Sequence, residues 1–254
     1  MGIAYSELNG YMKRQVRECQ SKLIQCGTKA VANTNHKSAF EMQMTKPERF
    51  FYDHLIREQL AFHDNVHYWS YRAIILDEPD GKKYVPDFLI IDEKGYIHLY
   101  TVRTHWHKAQ HEMMREIADL YPWFTFHKVI DGEPQRVLQS QKKRYLSESH
   151  ITKPNQWELD FASRLEVLRH YGDIKGWGRD LINLRLAYRT FYRPDFFYVD
   201  QNDRINFYEI KGFERDDAMV KIKVAASMFP FFDFTLVRRK KGEWHYESVK
   251  RVLV

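Results

Sequence analysis

The stretch "YRPDFFYVDQNDRINFYEIKGF", residues 192–213, holds Asp195, Glu209 and Lys211 at a spacing that could do hydrolytic chemistry. Residues two apart on a strand point to one face, so Glu209 and Lys211 project together while Ile210 faces the opposite way. An Asp195 at the start of the preceding strand can reach the same spot, and an acidic helix residue, Glu158, can complete the cluster. Gathered carboxylates repel one another and raise the pKa of at least one, unless a cation neutralises them. Hard oxygen ligands select Mg²⁺, with Mn²⁺ as a substitute, and leave positions for a phosphate oxygen and an attacking water. A lysine beside that water can orient it or stabilise charge developing on phosphorus. The reaction this suits is hydrolysis of a phosphodiester.

The same pattern occurs earlier in altered form. Residues 84–130, which begin "YVPDFLIIDEKGYIHLYTVRTH", align without a gap to residues 192–238 at an offset of 108, with 12 of 47 positions identical. Chance predicts roughly three. Upstream, an offset of 110 pairs Glu48 with Glu158, Phe51 with Phe161 and Leu55 with Leu165. A domain-sized repeat predicts two tandem globular domains rather than a solenoid. In the first copy Glu48 and Asp87 persist, but Thr101 stands where the second has Glu209 and Arg103 where it has Lys211. An arginine stays charged and can fork onto Asp87, filling a metal's place. The expectation is a catalytically dead first copy held by an Asp87–Arg103 pair; the rival is a migrated carboxylate, Glu112 or Glu116. His98, His105, His107 and His111 also fall in this copy, and as a group they read as surface or DNA-facing rather than as a zinc site.

The elements that must position these residues follow from periodicity. Trp157, Phe161, Leu165 and Leu168 give one apolar helix face, with Glu158 beside it and Glu166 eight residues on; only Glu158 aligns with Glu48. "LINLRLAY" alternates as a strand, "DFFYVD" and "INFYEIK" read as a hairpin, "DDAMVKIKVAASMF" as an amphipathic helix and "FFDFTLVR" as a last strand. A mixed sheet flanked by helices is predicted in each copy, hence an α/β class. Residues 1–45 fall outside the repeat and are expected to form an N-terminal helical arm with a helix over 5–25, serving as a docking arm or a flexible tail. The first domain spans 46–140 and the second 155–254, joined through a polar segment carrying Pro154.

Pro194-Asp195 followed by Glu209-Ile210-Lys211 resembles the PD-(D/E)xK, or restriction-endonuclease-like, nuclease superfamily, and the order of elements agrees. The similarity is greatest to phage endonucleases that resolve Holliday junctions, and more distant to TnsA-like transposon endonucleases. It implies two tandem restriction-endonuclease-like domains, with Glu158, Asp195, Glu209 and the Ile210 carbonyl on the metal and Lys211 assisting the nucleophile. It covers residues 155–240 and does not extend to the first 45.

The composition allows this activity. A net charge of +6 suits a polyanionic partner, and 44% hydrophobic with 29% charged residues describes a folded chain. Cys19 and Cys26 alone support neither a disulfide framework nor a zinc knuckle, so a reducing cytoplasm is expected. No 18-residue apolar run and no signal-peptide core are present, so neither membrane spanning nor secretion is expected. Arg193, Arg215, Lys221 and Lys223 are the expected phosphate contacts. The combined expectation is a Mg²⁺-dependent endonuclease acting on DNA, branched or junction DNA included. Its live site is one per chain, and a homodimer or partner protein would supply a second cut. The alternatives are a site-specific transposon-end or homing enzyme, and a DNA-binding module without turnover.

Overall fold

A computed structural model describes residues 43–56, 66–78, 80–140, 153–211 and 216–249. The expected helix over 5–25, both cysteines and Arg215 lie outside the described residues. The chain is of mixed α/β type. In order it runs α1 (Lys46–Phe51), a π-helical turn (Tyr52–Ile56), β1 (Val66–Tyr71), β2 (Ile74–Asp77), β3 (Lys83–Tyr84), β4 (Phe88–Asp92), β5 (Ile97–Val102), α2 (Lys108–Leu120), β6 (Thr125–Ile130) and β7 (Glu133–Arg136). The second half repeats this as α3 (Gln156–Tyr171), β8 (Gly176–Arg179), β9 (Ile182–Ala187), β10 (Thr190–Tyr192), β11 (Phe196–Val199), β12 (Ile205–Ile210), α4 (Asp216–Met228), β13 (Asp233–Lys240) and β14 (Glu243–Ser248).

Two five-stranded sheets have equivalent strand orders, β1-β4-β5-β6-β7 and β8-β11-β12-β13-β14. Each is antiparallel except for one parallel pair, bridged by a helix as a parallel connection requires. Register repeats too: Phe88 opposes Tyr100 and Phe196 opposes Tyr208, while in the parallel pairs His98 meets Thr125 and Asn206 meets Asp233. Every one of these partners differs by the 108 positions that align the sequence.

The expected order of helix, three strands, helix, strand was too short. The strands β8, β10 and β14 also form. Their sequences, "GWGR", "TFY" and "EWHYES", are brief or polar and lack the alternation that marks a half-buried strand. In β8, Gly178 is required by contact: a Cβ there would lie 2.6 Å from Phe197 Cε1 and 2.9 Å from Leu181 Cδ1, both on buried side chains. Gly178→Ala is expected to destabilise the protein by about 1–3 kcal/mol through overpacking, seen as a lower urea midpoint at unchanged slope.

Two compact units divide the chain. One gathers the described residues of 43–74 with 84–140; the other gathers 75–83 with those from 153 onward. The second unit therefore includes an arm from the first repeat, and a four-stranded sheet runs β10-β9-β2-β3.

Within the C-terminal unit, successive residues of β12 face opposite sides. Phe207 packs on Phe232 and Phe234, whereas Tyr208 meets Phe161 of α3 edge-on. Phe161, Ala162 and Leu165 bury the α3 face against Phe196, Trp177 and Val237, with Ile210 packed beside them. No helix among the described residues is long and apolar enough to cross a membrane.

Candidate active site

Asp195 and Glu209 come together because of register. Phe196 opposes Tyr208 across an antiparallel pair, so one step further along Asp195 opposes Glu209 on the shared face. Asp195 Oδ2 accepts the Ile210 amide at 2.7 Å, fixing its carboxylate at the mouth of the strand pair. Glu209 Oε2 accepts from the buried Tyr192 hydroxyl at 2.9 Å, and Glu209 Oε1 lies 2.6 Å from Lys211 Nζ. Burial and the Glu209 charge hold the Tyr192 phenol well above its ordinary pKa, so it stays a donor.

Glu158 enters from α3. It is the third helical residue, and it closes a capping box: Asn155 Oδ1 accepts the Glu158 amide at 3.0 Å, and Glu158 Oε2 accepts the Asn155 amide at 3.3 Å. Glu158 thus has a structural task as well as a place at the site. Its Oε2 is 3.6 Å from Arg179 Nη1, and that guanidinium is 2.6 Å from Asp180 Oδ2. Burial, Asp180 and Glu209 raise its pKa. Glu166, the other helix carboxylate, is bound to Arg169 and to Trp177 Nε1 at 3.0 Å, and its pKa falls to about 2. It is not at the site.

Asp195 carries the electrostatic consequence. Burial first, then the charges of Glu209 and Glu158, push its pKa up to about 8, against the lowering effects of the Ile210 amide and Lys211. Glu158, Asp180, Asp195 and Glu209 thus lie around Arg179 and Lys211, and the proton that Asp195 retains to about pH 8 relieves part of the repulsion among them. Among the described residues no group of three or more His, Cys, Asp or Glu side chains is gathered tightly enough to hold a metal ion. The fit to a divalent ion rests on the facing Asp195–Glu209 pair, since Mg²⁺ takes one or two carboxylates and keeps its waters.

The first repeat provides an internal comparison. Asp87 Oδ2 accepts the Val102 amide at 2.9 Å, as Asp195 does from Ile210, and Tyr84 meets Thr101 at 2.5 Å where Tyr192 meets Glu209. Arg103 Nη1 lies 2.6 Å from Asp87 Oδ2, so the anticipated pair is formed. A second cation was not anticipated: Arg72 Nη2 sits 2.9 Å from Glu48 Oε1 and 3.4 Å from Asp87 Oδ1. Two carboxylates meet two guanidiniums, and the charge closes without a metal. Burial raises the Asp87 pKa only to about 6, because Arg103 opposes it. Burial also acts on Glu48, but the Thr45 amide and Arg72 outweigh it and leave its pKa below the ordinary value.

Position 108 beyond Arg72 is Asp180. Both residues have positive φ, 48° and 55°, and both backbone amides donate to the carbonyl of the motif aspartate, at 2.8 and 3.0 Å. One position in equivalent backbone therefore carries a cation in one repeat and a carboxylate in the other. The signal that could have found them is the same offset carried further back: Trp69 matches Trp177, Ile74 matches Ile182 and Leu76 matches Leu184, on either side of Arg72 and Asp180. Of the two rival carboxylates on α2, Glu112 stands 3.8 Å from exposed Lys108, and both it and Glu116 are exposed.

His98 and His111 have separate partners. His98 meets His127 at 3.1 Å and Asp92 at 3.3 Å, His111 meets Lys128, and His105 and His107 are exposed. Of the expected phosphate contacts, Lys221 is exposed and Lys223 half-buried on α4. Arg193 instead turns inward to Asp77 at 2.6 Å and Asn183 at 2.8 Å. No family model matches the chain, and neither a curated protein nor a solved structure matches it.

Proposed function

We propose that the protein is a divalent-metal-dependent DNA endonuclease of the restriction-like class, with its single working site in the C-terminal repeat and a charge-neutralised counterpart in the N-terminal one. The observation that carries this reading is the facing Asp195–Glu209 pair with Lys211 2.6 Å from Glu209, where burial and the neighbouring carboxylates raise the Asp195 pKa to about 8. In the first repeat the same backbone positions balance internally. Carboxylates that repel one another in one copy and are paired with arginines in the other are what a retained cation requirement would leave.

Asp195, Glu209 and the Ile210 carbonyl would hold Mg²⁺, with Glu158 supporting from the helix. The ion supplies Lewis-acid polarisation of the phosphate and acidifies its bound water. Lys211 is placed to orient a water and to stabilise negative charge at phosphorus. Tyr192 holds Glu209 in the orientation that presents its other oxygen to Lys211. Exposed Lys221 on α4 offers a backbone phosphate contact.

The test is cleavage of labelled linear, nicked, flap and four-way DNA side by side with Mg²⁺ or with EDTA. Mg²⁺-dependent products are expected, with single nicks preceding any double-strand cut because each chain has one working site. Metal-independent binding without products would leave the DNA-binding-module reading in its place. One cut sequence irrespective of branching would make it a transposon-end or homing enzyme.

A further inference from the structure

The C-terminal unit is completed by residues 75–83 of the first repeat, and the contact that anchors them lies beside the candidate motif. Asp77, at the end of β2, is fully buried. Its Oδ2 accepts from Arg193 Nη2 at 2.6 Å and from Asn183 Nδ2 at 3.0 Å, while Arg193 Nε donates to Asn183 Oδ1 at 2.8 Å. The Asp77 amide adds a bond to the Leu181 carbonyl at 2.8 Å, and Lys83 Nζ stands 3.8 Å away. Arg193 precedes Pro194-Asp195, and the proline's fixed φ transmits the arginine's placement to the aspartate.

The cluster runs in one direction only. The equivalents of Asp77, Asn183 and Arg193 under the repeat are Arg185, Ile75 and Val85, which cannot form it. It is present only for the copy that kept Glu209 and Lys211. We infer that Asp77 is a positioning residue for the candidate active site, holding Arg193 so that the strand entering at Asp195 is fixed, and that this accounts for retention of a first repeat with no working site of its own. The inference rests on the nuclease reading for its catalytic consequence, but its structural half does not.

The full chain carrying Asp77→Ala or Asp77→Asn tests it. Removing one member of a buried ion pair leaves the other uncompensated, so Asp77→Ala should raise amide hydrogen exchange across residues 182–197, leaving the 88–102 strands unchanged. Mn²⁺ affinity should fall at least about tenfold, and kcat should drop with little change in KM for DNA; Asn, which keeps the shape and an acceptor, should recover most of both. If Asp77→Ala does not fold, the paired Asp77→Asn/Arg193→Met variant removes the contact without leaving a buried charge unpaired, and the same loss of Mn²⁺ affinity is expected from it. Unchanged exchange at 182–197, or unchanged Mn²⁺ affinity, in Asp77→Ala or in the paired variant overturns the inference. A wild-type chain that binds no Mn²⁺ overturns the nuclease reading instead, and exchange still decides whether Asp77 holds the strand.

Discussion

Glu209→Gln is expected to abolish metal-dependent cleavage, with single-turnover rates falling by more than about 10³-fold, because it removes one of the two facing carboxylates and the partner of Lys211. Mn²⁺ affinity should fall with it. The fold should survive, since glutamine keeps an oxygen to accept from the Tyr192 hydroxyl. With the Glu209 charge gone, the Asp195 pKa should also move down from about 8 toward the ordinary carboxylate range, a shift visible by carbon-detected NMR. Lys211→Met should cost about 10²–10³-fold in rate and leave metal affinity nearly intact, as a group acting on the water or on phosphorus requires. Thr101→Val at the equivalent position of the first repeat takes a partner from Tyr84, so it should lower stability by about 1 kcal/mol and leave cleavage unaffected. Equal activity of Glu209→Gln and wild type would remove the C-terminal site from the reaction altogether.

Stability without metal should fall as pH rises through the neutral range, and Mg²⁺ should cancel the fall. Asp195 has a folded pKa raised to about 8, far above its ordinary value of 3.8. A raised folded pKa means that the native state binds the proton more tightly than the unfolded chain. The resulting stability is fully present below the unfolded pKa and is lost as pH climbs toward 8. The slope from one such group is at most about 1.4 kcal/mol per pH unit. Asp87, raised only to about 6, contributes little above that pH, so the interval from pH 6 to 8 isolates the C-terminal site. Urea midpoints measured there with EDTA should decline, while saturating Mg²⁺ should flatten them by taking the proton's place. Asp195→Asn should be flat in both conditions. The same decline with and without Mg²⁺ would show that the ion does not bind these carboxylates.

The two sites differ by little in sequence and by much in charge. Thr101 for glutamate and Arg103 for lysine are visible as substitutions within aligned strands. Arg72 against Asp180 completes the difference, because it places a guanidinium on Glu48 and Asp87 where the second repeat has a further carboxylate beside Arg179. The buried Arg179, 2% exposed by side chain, remains beside Glu158 and tempers the repulsion without ending it.

The sequence by itself determined the repeat, the mixed α/β class, and the facing of Asp195 and Glu209. These depend on local alternation and helical periodicity, which are written in neighbouring residues. It also determined the Asp87–Arg103 pair, since both residues lie at the ends of strands whose register the repeat fixes. The tertiary structure alone decided that Arg193 turns to Asp77, 116 positions away, rather than to solvent, and that residues 75–83 complete the other repeat's unit. It also decided that Glu158 doubles as a helix cap and that Arg72 and Asp180 share one left-handed backbone conformation. The physical reason is range: periodicity reports which face a side chain takes, but the charge it meets there comes from a strand or loop distant in the chain.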